Sequence, residues 1–258
     1  MSADQRLAQC VAIVTGAGSG IGLATLRRLA RDGAVLVAAD IDAASAERAV
    51  VDIEAQGGRA IAMVADVSEP GVPDRLVAQT VSELGRLDIL VNNAGVMRRG
   101  DALDTSDEDW AISMTVNVDA VFRLCRAAIR HMKNNGGGAI VNVSSCWGLY
   151  PGPAHLAYCT SKAAVAAMTR CLGRDHAGDG IRVNGVCPNE VNTPMLRNGF
   201  AFRGYDPEVA VRELGATVPL GRIAVPEDIA DVIAFLASDD ARYTAGALLE
   251  VNGAKPVM

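Results

Sequence analysis

Seven short apolar runs recur along the 258-residue chain, separated by longer stretches whose apolar residues return every three to four positions. The runs Val11–Thr15, Val35–Ala39, Ile61–Ala65, Ile89–Asn92, Ile140–Ser144, Arg182–Val186 and Leu248–Val251 are mostly continuous rather than alternating. Continuous apolar runs rich in β-branched residues predict strands buried on both faces, as in a parallel sheet covered by helices. The intervening stretches predict helices near 20–32, 43–56, 72–84, 107–133, 157–178 and 226–238. Asp107-Glu108-Asp109 supplies carboxylates for a first turn, and Pro226 opens another helix ahead of Glu227 and Asp228. Regular strand–helix alternation predicts a single α/β domain, a doubly wound seven-stranded parallel sheet with helices on both faces. No repeat or low-complexity linker divides it, and Gly136-Gly137-Gly138 reads as a turn into a strand. The stretch from Asn192 to Val218 fits the alternation worst, mixing Gly, Pro, Arg and aromatic residues, and predicts an insertion acting as a lid.

Composition narrows the function classes. Half of the residues are hydrophobic and 21% are charged, ample for a buried core. No apolar run approaches the ~18 residues that span a bilayer. The start, Met1-Ser2-Ala3-Asp4-Gln5-Arg6, lacks the cationic and apolar regions of a signal peptide, so a cytoplasmic protein is expected. The net charge is −6 with scattered basic residues, which argues against nucleic acid as a partner. Cys10, Cys125, Cys146, Cys159, Cys171 and Cys187 form no Cys-x-x-Cys pair, and His131, His155 and His176 stand apart from them. No metal site or disulfide framework is expected, and Cys146 and Cys159, beside the candidate catalytic residues, read as small packing residues in a reducing compartment.

Two motifs carry chemistry. Thr15-Gly16-Ala17-Gly18-Ser19-Gly20-Ile21-Gly22 follows the first strand and opens the first helix. Glycines there permit a tight turn and close backbone approach, while the helix N-terminus faces a pyrophosphate. The spacing is G-x-x-x-G-x-G rather than G-x-G-x-x-G, but Asp40 ends the second strand where a ribose hydroxyl would be held. A carboxylate there would repel a 2′-phosphate, and neither Ser19 nor Ile41 is basic, which predicts NAD over NADP. Secondly, Tyr158 and Lys162 stand four residues apart, one turn along one helix face. A tyrosine hydroxyl titrates near ~10, and an adjacent cation is expected to pull it towards the operating range of a general acid/base.

With Thr15–Gly22, Asp66-Val67, Asn92-Asn93-Ala94-Gly95, Asn117, Ile140-Val141-Asn142-Val143-Ser144-Ser145, Tyr158/Lys162, Arg182-Val183-Asn184 and Pro188 through Met195 in this order, the chain resembles the short-chain dehydrogenase/reductase family along essentially its whole length. The resemblance implies a Rossmann-type fold and hydride transfer between NAD(H) and a secondary alcohol or ketone. It implies that Ser145, thirteen positions before Tyr158, polarises the substrate oxygen, that Tyr158 is the acid/base, and that Lys162 lowers its pKa and bonds the nicotinamide ribose. Asn117 resembles the residue that kinks the long helix and helps hold a relay water. Gly16, Ser19, Gly20, Ile21, Gly22 and Asp40 match the cofactor turn, Asp66 and Val67 the adenine contacts, Asn93, Ala94 and Gly95 the cleft wall, and Val191 and Thr193 the carboxamide contacts. The family also implies a homotetramer through the helices at 107–133 and 157–178.

One departure is Pro188-Asn189-Glu190, where the family commonly has Pro-Gly; asparagine best tolerates a left-handed backbone in place of that glycine. Substrate-facing candidates are Ser145, Met97, Trp147, His155, Asn189, Arg197 and Arg203, a mixture suited to a small polyol, sugar or hydroxy acid. Asn189 and Glu190 read either as solvated turn residues or as hydrogen-bonding partners of such a substrate, and Arg197 or Arg203 either as surface arginines or as a clamp for a carboxylate or sulfonate. The alternatives are a 3-oxoacyl or steroid-type ketone reductase, the former disfavoured by Asp40, a non-catalytic NAD-binding sensor, and a sugar-nucleotide epimerase or dehydratase.

Overall fold

The structure, a computed structural model, describes residues 5–255. Seven parallel strands form one sheet in the order β3-β2-β1-β4-β5-β6-β7. They are β1 (Val11–Thr15), β2 (Val35–Asp40), β3 (Arg59–Val64), β4 (Ile89–Asn92), β5 (Gly138–Val143), β6 (Ile181–Pro188) and β7 (Leu248–Val251). Nine α-helices connect or flank them: α1 (Gly20–Arg31), α2 (Ala43–Ala55), α3 (Val72–Leu84), α4 (Asp107–Met114), α5 (Ala120–Met132), α6 (Leu156–His176), α7 (Pro194–Phe202), α8 (Pro207–Ala216) and α9 (Pro226–Ala237).

Continuous apolar strands are explained by two cores, one on each face. Along β1, Ala12 and Val14 enter the core with Leu26 and Leu29 of α1 and Ile229 and Ile233 of α9. Ile13, between them, points to the opposite core, with Leu76 of α3 and Leu124 and Ala128 of α5. β2 divides the same way, Leu36 and Ala38 to the first core, Val37 and Ala39 to the second. Side chains alternate across the pleat, so a strand covered twice must be apolar at every position. Arg182, near the start of β6, is a charged residue inside a strand. Its guanidinium donates to the carbonyls of Leu236, Ala237, Ser238 and Ala241, satisfying the end of α9.

Two expectations change. The helix expected over 107–133 is interrupted by one π turn, Thr115–Asp119, between α4 and α5. The irregular stretch 192–218 contains two short helices, each begun by proline after a capping side chain. Thr193 Oγ1 accepts the Leu196 N–H at 3.3 Å ahead of Pro194, and Asp206 Oδ1 accepts the Glu208 N–H at 2.8 Å ahead of Pro207. Proline and glycine punctuate this segment without abolishing helix, which is why periodicity alone missed it.

The strand order reverses between β1 and β4, the position at which loops leaving neighbouring strands diverge and open a crevice. That crevice holds a cavity of about 280 Å³.

Candidate active site

The crevice is walled by loops leaving the C-terminal ends of strands, together with α6 and the start of α7. β1 delivers the glycine turn. Gly16 sits at φ +62° and Gly20 at φ +52°, and a Cβ at Gly22 would overlap the Gly16 carbonyl oxygen. The turn therefore folds back onto the first turn of α1 with no room for a side chain. Its capping residue, Ser19, makes no side-chain cap, so the first amides of α1 stay available to an anion. At the end of β2, Asp40 Oδ2 accepts the Gly18 N–H at 2.8 Å and Oδ1 the Asp42 N–H at 3.0 Å. Those bonds aim the carboxylate across the turn beside Ser19 and Ile21.

β4 supplies the opposite wall. Asn93 Nδ2 donates to the carbonyls of Thr15 and Gly16 at 2.9 and 3.1 Å, and Thr15 Oγ1 accepts the N–H groups of Asn93 and Ala94, each at 3.1 Å. The two loops are thereby locked in register. Gly95 follows; a Cβ there would stand 3.1 Å from Asn117 Oδ1 and 3.5 Å from Lys162 Nζ. Asn117, in the π turn, is fully engaged: Oδ1 accepts the Val96 N–H at 2.8 Å, and Nδ2 donates to the Val96 carbonyl and Ser161 Oγ at 2.9 and 3.0 Å. It ties the cleft wall to α6.

The reactive groups converge where β5 meets α6. Ser145, Tyr158 and Lys162 are 7%, 9% and 6% exposed and line the same cavity. Ser145 Oγ accepts the Trp147 N–H at 3.1 Å and donates to the Pro188 carbonyl at 3.4 Å, a long bond that a closer substrate oxygen can displace. Lys162 Nζ donates to the Val143 carbonyl at 2.8 Å and lies 5.9 Å from the Tyr158 ring centre. Ser144 also lines the cavity, but its hydroxyl donates to the Lys162 carbonyl at 2.8 Å and pins the helix.

Electrostatics here differ from the expectation that Lys162 draws the phenol pKa down. Burial pushes Tyr158 up to about 12, the Ser145 hydroxyl opposing it, and burial likewise pushes Lys162 down to about 8. Both groups are denied water, so each resists its charged form, and loss of hydration outweighs attraction across this separation. Tyr158 is therefore protonated at neutral pH.

Several candidates fall elsewhere. Asp66 and Val67 follow β3 outside the cavity, Asp66 Oδ1 accepting the Ser68 N–H and Oγ–H at 2.9 and 2.6 Å, while Val67 packs in the core. Val191, Thr193 and Asn189 line the cavity, although Asn189 is not left-handed; the non-glycine positive-φ residues among those described are Gln9, Ala154 and Ala254. Its N–H donates to the Val251 carbonyl at 3.1 Å, so strand pairing to β7 holds the turn instead of a glycine. Glu190 is not solvated: it lines the cavity and accepts Lys255 Nζ at 2.8 Å. Arg197 is bound to Glu208 at 2.5 Å and to Asn192 Oδ1 at 2.8 Å, away from the cavity. Arg203 also lies outside the lining, its guanidinium 5.0 Å from the Phe200 ring and 5.5 Å from the Tyr205 ring. His155 sits behind the wall, packed against Trp147 with ring centres 4.4 Å apart and planes tilted by 52°. Sequence reasoning missed Arg99, Met195 and Leu196, which do line the cavity. No local signal distinguishes Arg99 from its neighbour Arg98, which is paired with Asp109 at 2.9 Å.

A family model described as enoyl-(acyl carrier protein) reductase matches residues 16–253. This chain belongs to the short-chain dehydrogenase/reductase family. It is similar to the meso-2,3-butanediol dehydrogenase of Serratia marcescens, 38% identical over 243 residues, covering 94% of this chain and 93% of the relative. It is also similar to a 3-oxoacyl-[acyl-carrier-protein] reductase of Thermotoga maritima, 37% identical and covering 96% and 98% of the two chains. A solved Burkholderia xenovorans structure, described as a short-chain dehydrogenase/reductase, matches with TM-score 0.92 at 36% identity, over 96% of this chain and 97% of that one. The chain is accordingly an oxidoreductase of alcohol and carbonyl groups, of a family dependent on a nicotinamide dinucleotide. No helix among the described residues is long and apolar enough to cross a membrane.

Proposed function

We propose that this short-chain dehydrogenase/reductase transfers a hydride between NAD(H) and a small, polar secondary alcohol or the corresponding ketone. The observation that carries this reading is the meeting of Ser145, Tyr158 and Lys162 at one end of a cavity whose other end is formed by the Gly16–Gly22 turn and Asp40. The dinucleotide fits the cradle: Gly16, Ser19, Gly20 and Ile21 line it, no side chain caps the first amides of α1, and Asp40 is aimed by the Gly18 and Asp42 N–H groups. Gly16, Ser19, Gly20 and Ile21 would hold the pyrophosphate, Asp40 the adenosine ribose, Asn93 to Gly95 and Lys162 the nicotinamide ribose, and Val191 and Thr193 the carboxamide, while the adenine would extend past the cavity lining towards Asp66 and Val67 on the loop after β3. When bound, the nicotinamide supplies the hydride acceptor or donor.

The chain's own residues handle the proton. Ser145 Oγ–H donates to the substrate oxygen and fixes it beside Tyr158. Tyr158, protonated at neutral pH, gives its proton to the developing alkoxide in reduction and takes it back in oxidation. Lys162 supplies positive charge beneath the phenol whenever the oxygen carries negative charge, and Asn117 holds α6 against the cleft wall. The segment 192–218, with α7 and α8, acts as the lid that excludes water.

NAD is favoured because the Asp40 carboxylate would face a 2′-phosphate. Arg48, the basic residue in the neighbouring α2, spends a guanidinium N–H on Ser45 Oγ at 2.7 Å and lies outside the cavity lining. We also infer a homotetramer through α4–α5 and α6; Trp110 and Phe122 stay exposed on α4 and α5, which supports it. Six free cysteines support a reducing, cytoplasmic setting. The test is a screen of diols, polyols, hydroxy acids and 3-oxoacyl thioesters with NAD(H) and NADP(H), followed at the NADH absorbance. Turnover of a small alcohol with NAD is expected. Equal or better kcat/KM with NADP, or turnover confined to the thioesters, would overturn the reading.

A further inference from the structure

Arg99 enters the cavity wall from the loop after β4, on the substrate side. Its Nη1 lies 2.6 Å from His155 Nε2, and His155 Nδ1 lies 2.6 Å from the Pro153 carbonyl. A carbonyl only accepts, so Nδ1 carries the ring proton and Nε2 accepts from the guanidinium. His155 is thus neutral and offers Arg99 no counter-charge. Its ring packs at a tilt against Trp147, which meets the Tyr158 ring edge-on at 6.4 Å, so the line Arg99–His155–Trp147 ends at the acid/base.

The placement is rigid. Gly100 N–H donates to the Ala154 carbonyl at 2.9 Å, and Leu156 N–H to the Gly100 carbonyl at 3.1 Å, bridging the Arg99 loop to the start of α6. Ala154 accepts φ +53° to complete that bridge, a conformation costly for a residue with a Cβ. From the other side α7 lays its backbone on the guanidinium; a Cβ at Gly199 would stand 3.0 Å from Nη2.

The charge has no partner. Among the described residues no carboxylate lies within 4.0 Å of the Arg99 guanidinium, whereas Arg98 and Arg197 each hold one. Glu190, the acid in the substrate end of the cavity, is neutralised by Lys255. Burial and the neighbouring charge of Arg203 both press against the Arg99 cation, lowering its pKa. A half-buried guanidinium held beside a second arginine, with most of its five N–H donors uncommitted, is a costly arrangement that an anion would relieve.

We propose that Arg99, held by His155 and the Gly100–Ala154 bridge, binds an oxyanion of the substrate, making the preferred substrate class hydroxy and keto acids. This rests on the dehydrogenase reading above and replaces Arg197 as the clamp, with Arg203 adding charge from just beyond the end of α7. A planar carboxylate or a sulfonate can take two guanidinium N–H groups at once, which fixes the distance from the anion to the reacting carbinol.

The test compares alcohols that differ only in remote charge, 3-hydroxybutyrate against 3-hydroxybutyramide and 4-(1-hydroxyethyl)benzoate against its carboxamide, both enantiomers of each. In the wild-type enzyme at least one acid is expected to exceed its amide by about 10- to 100-fold in kcat/KM. Arg99→Gln should bring that ratio to within about threefold, through KM, and Arg99→Lys should fall between. A second arm needs no turnover: benzoate, but not benzamide, should raise the thermal transition of the NAD complex of the wild type and not of Arg99→Gln. Equal use of acid and amide, a preference that survives Arg99→Gln, or benzoate stabilising that variant as it does the wild type would each refute the anion site. Benzoate binding through Arg99 without turnover of any alcohol would keep the site and overturn the dehydrogenase reading instead.

Discussion

Replacing Lys162 by methionine should make the cofactor-free protein more stable at pH 7 while destroying its activity. Burial lowers the lysine from 10.5 to about 8, a difference worth about 3 kcal/mol against the folded, charged form. Methionine fills a similar volume without charge and removes that cost. It also deletes the 2.8 Å bond to the Val143 carbonyl, and leaving that acceptor unmet costs about 1–2 kcal/mol. The net expectation is a gain of about 1–2 kcal/mol at pH 7, or about 3–6 °C in Tm for a domain of this size. The sign reverses with pH. Below about pH 8 both folded and unfolded lysine are protonated and the full cost is present. Between about 8 and 10.5 the folded protein has lost the proton that the unfolded chain still binds, so wild-type stability rises through that window. Tyr158, pushed up to about 12, titrates above it in both proteins. The advantage of Lys162→Met should therefore shrink by about 2–3 kcal/mol from pH 7 to pH 10 and change sign. Urea unfolding of both proteins at the two pH values measures this. A variant less stable at pH 7, or a stability difference that does not move with pH, would show that Lys162 is not charged at a cost in the folded state.

Three further outcomes follow from the site geometry. Tyr158→Phe should lower kcat by about 10²–10⁴-fold while changing the NAD dissociation constant by less than about threefold, read by steady-state kinetics and fluorescence titration; near-wild-type turnover would remove Tyr158 from the proton path. Gly22→Ala should weaken NAD binding more than tenfold and cost about 1–3 kcal/mol of stability, because its Cβ overlaps the Gly16 carbonyl oxygen; a protein that binds NAD normally would contradict the tightness of the turn. Asp40→Ser should shift the NAD:NADP ratio of kcat/KM towards NADP by about 10- to 100-fold, since the change removes a charge that faces the 2′ position; an unchanged ratio would locate the discrimination elsewhere.

The class of fold is legible because burial on both faces forces continuous apolar strands, and seven such runs stand apart along the chain. Gly16–Gly22 and Asp40 were legible because a close approach of backbone to phosphate, and a carboxylate to ribose, demand particular residue types at fixed spacing. Tyr158 and Lys162 were legible because helical periodicity alone makes them neighbours. What the local sequence determined, then, was everything set by backbone geometry over a few residues. Tertiary structure decided what depends on burial and distant partners. Lys162 and Tyr158 resist charge because other elements exclude water from them, which no pair spacing reveals. Arg197 finds Glu208 on α8, Glu190 finds Lys255 beyond β7, and Arg99 alone of these is left facing the cavity beside a neutral histidine. An arginine's role is fixed by whether an opposite charge lies within about 4 Å, and only the folded chain brings residues far apart in sequence to that distance.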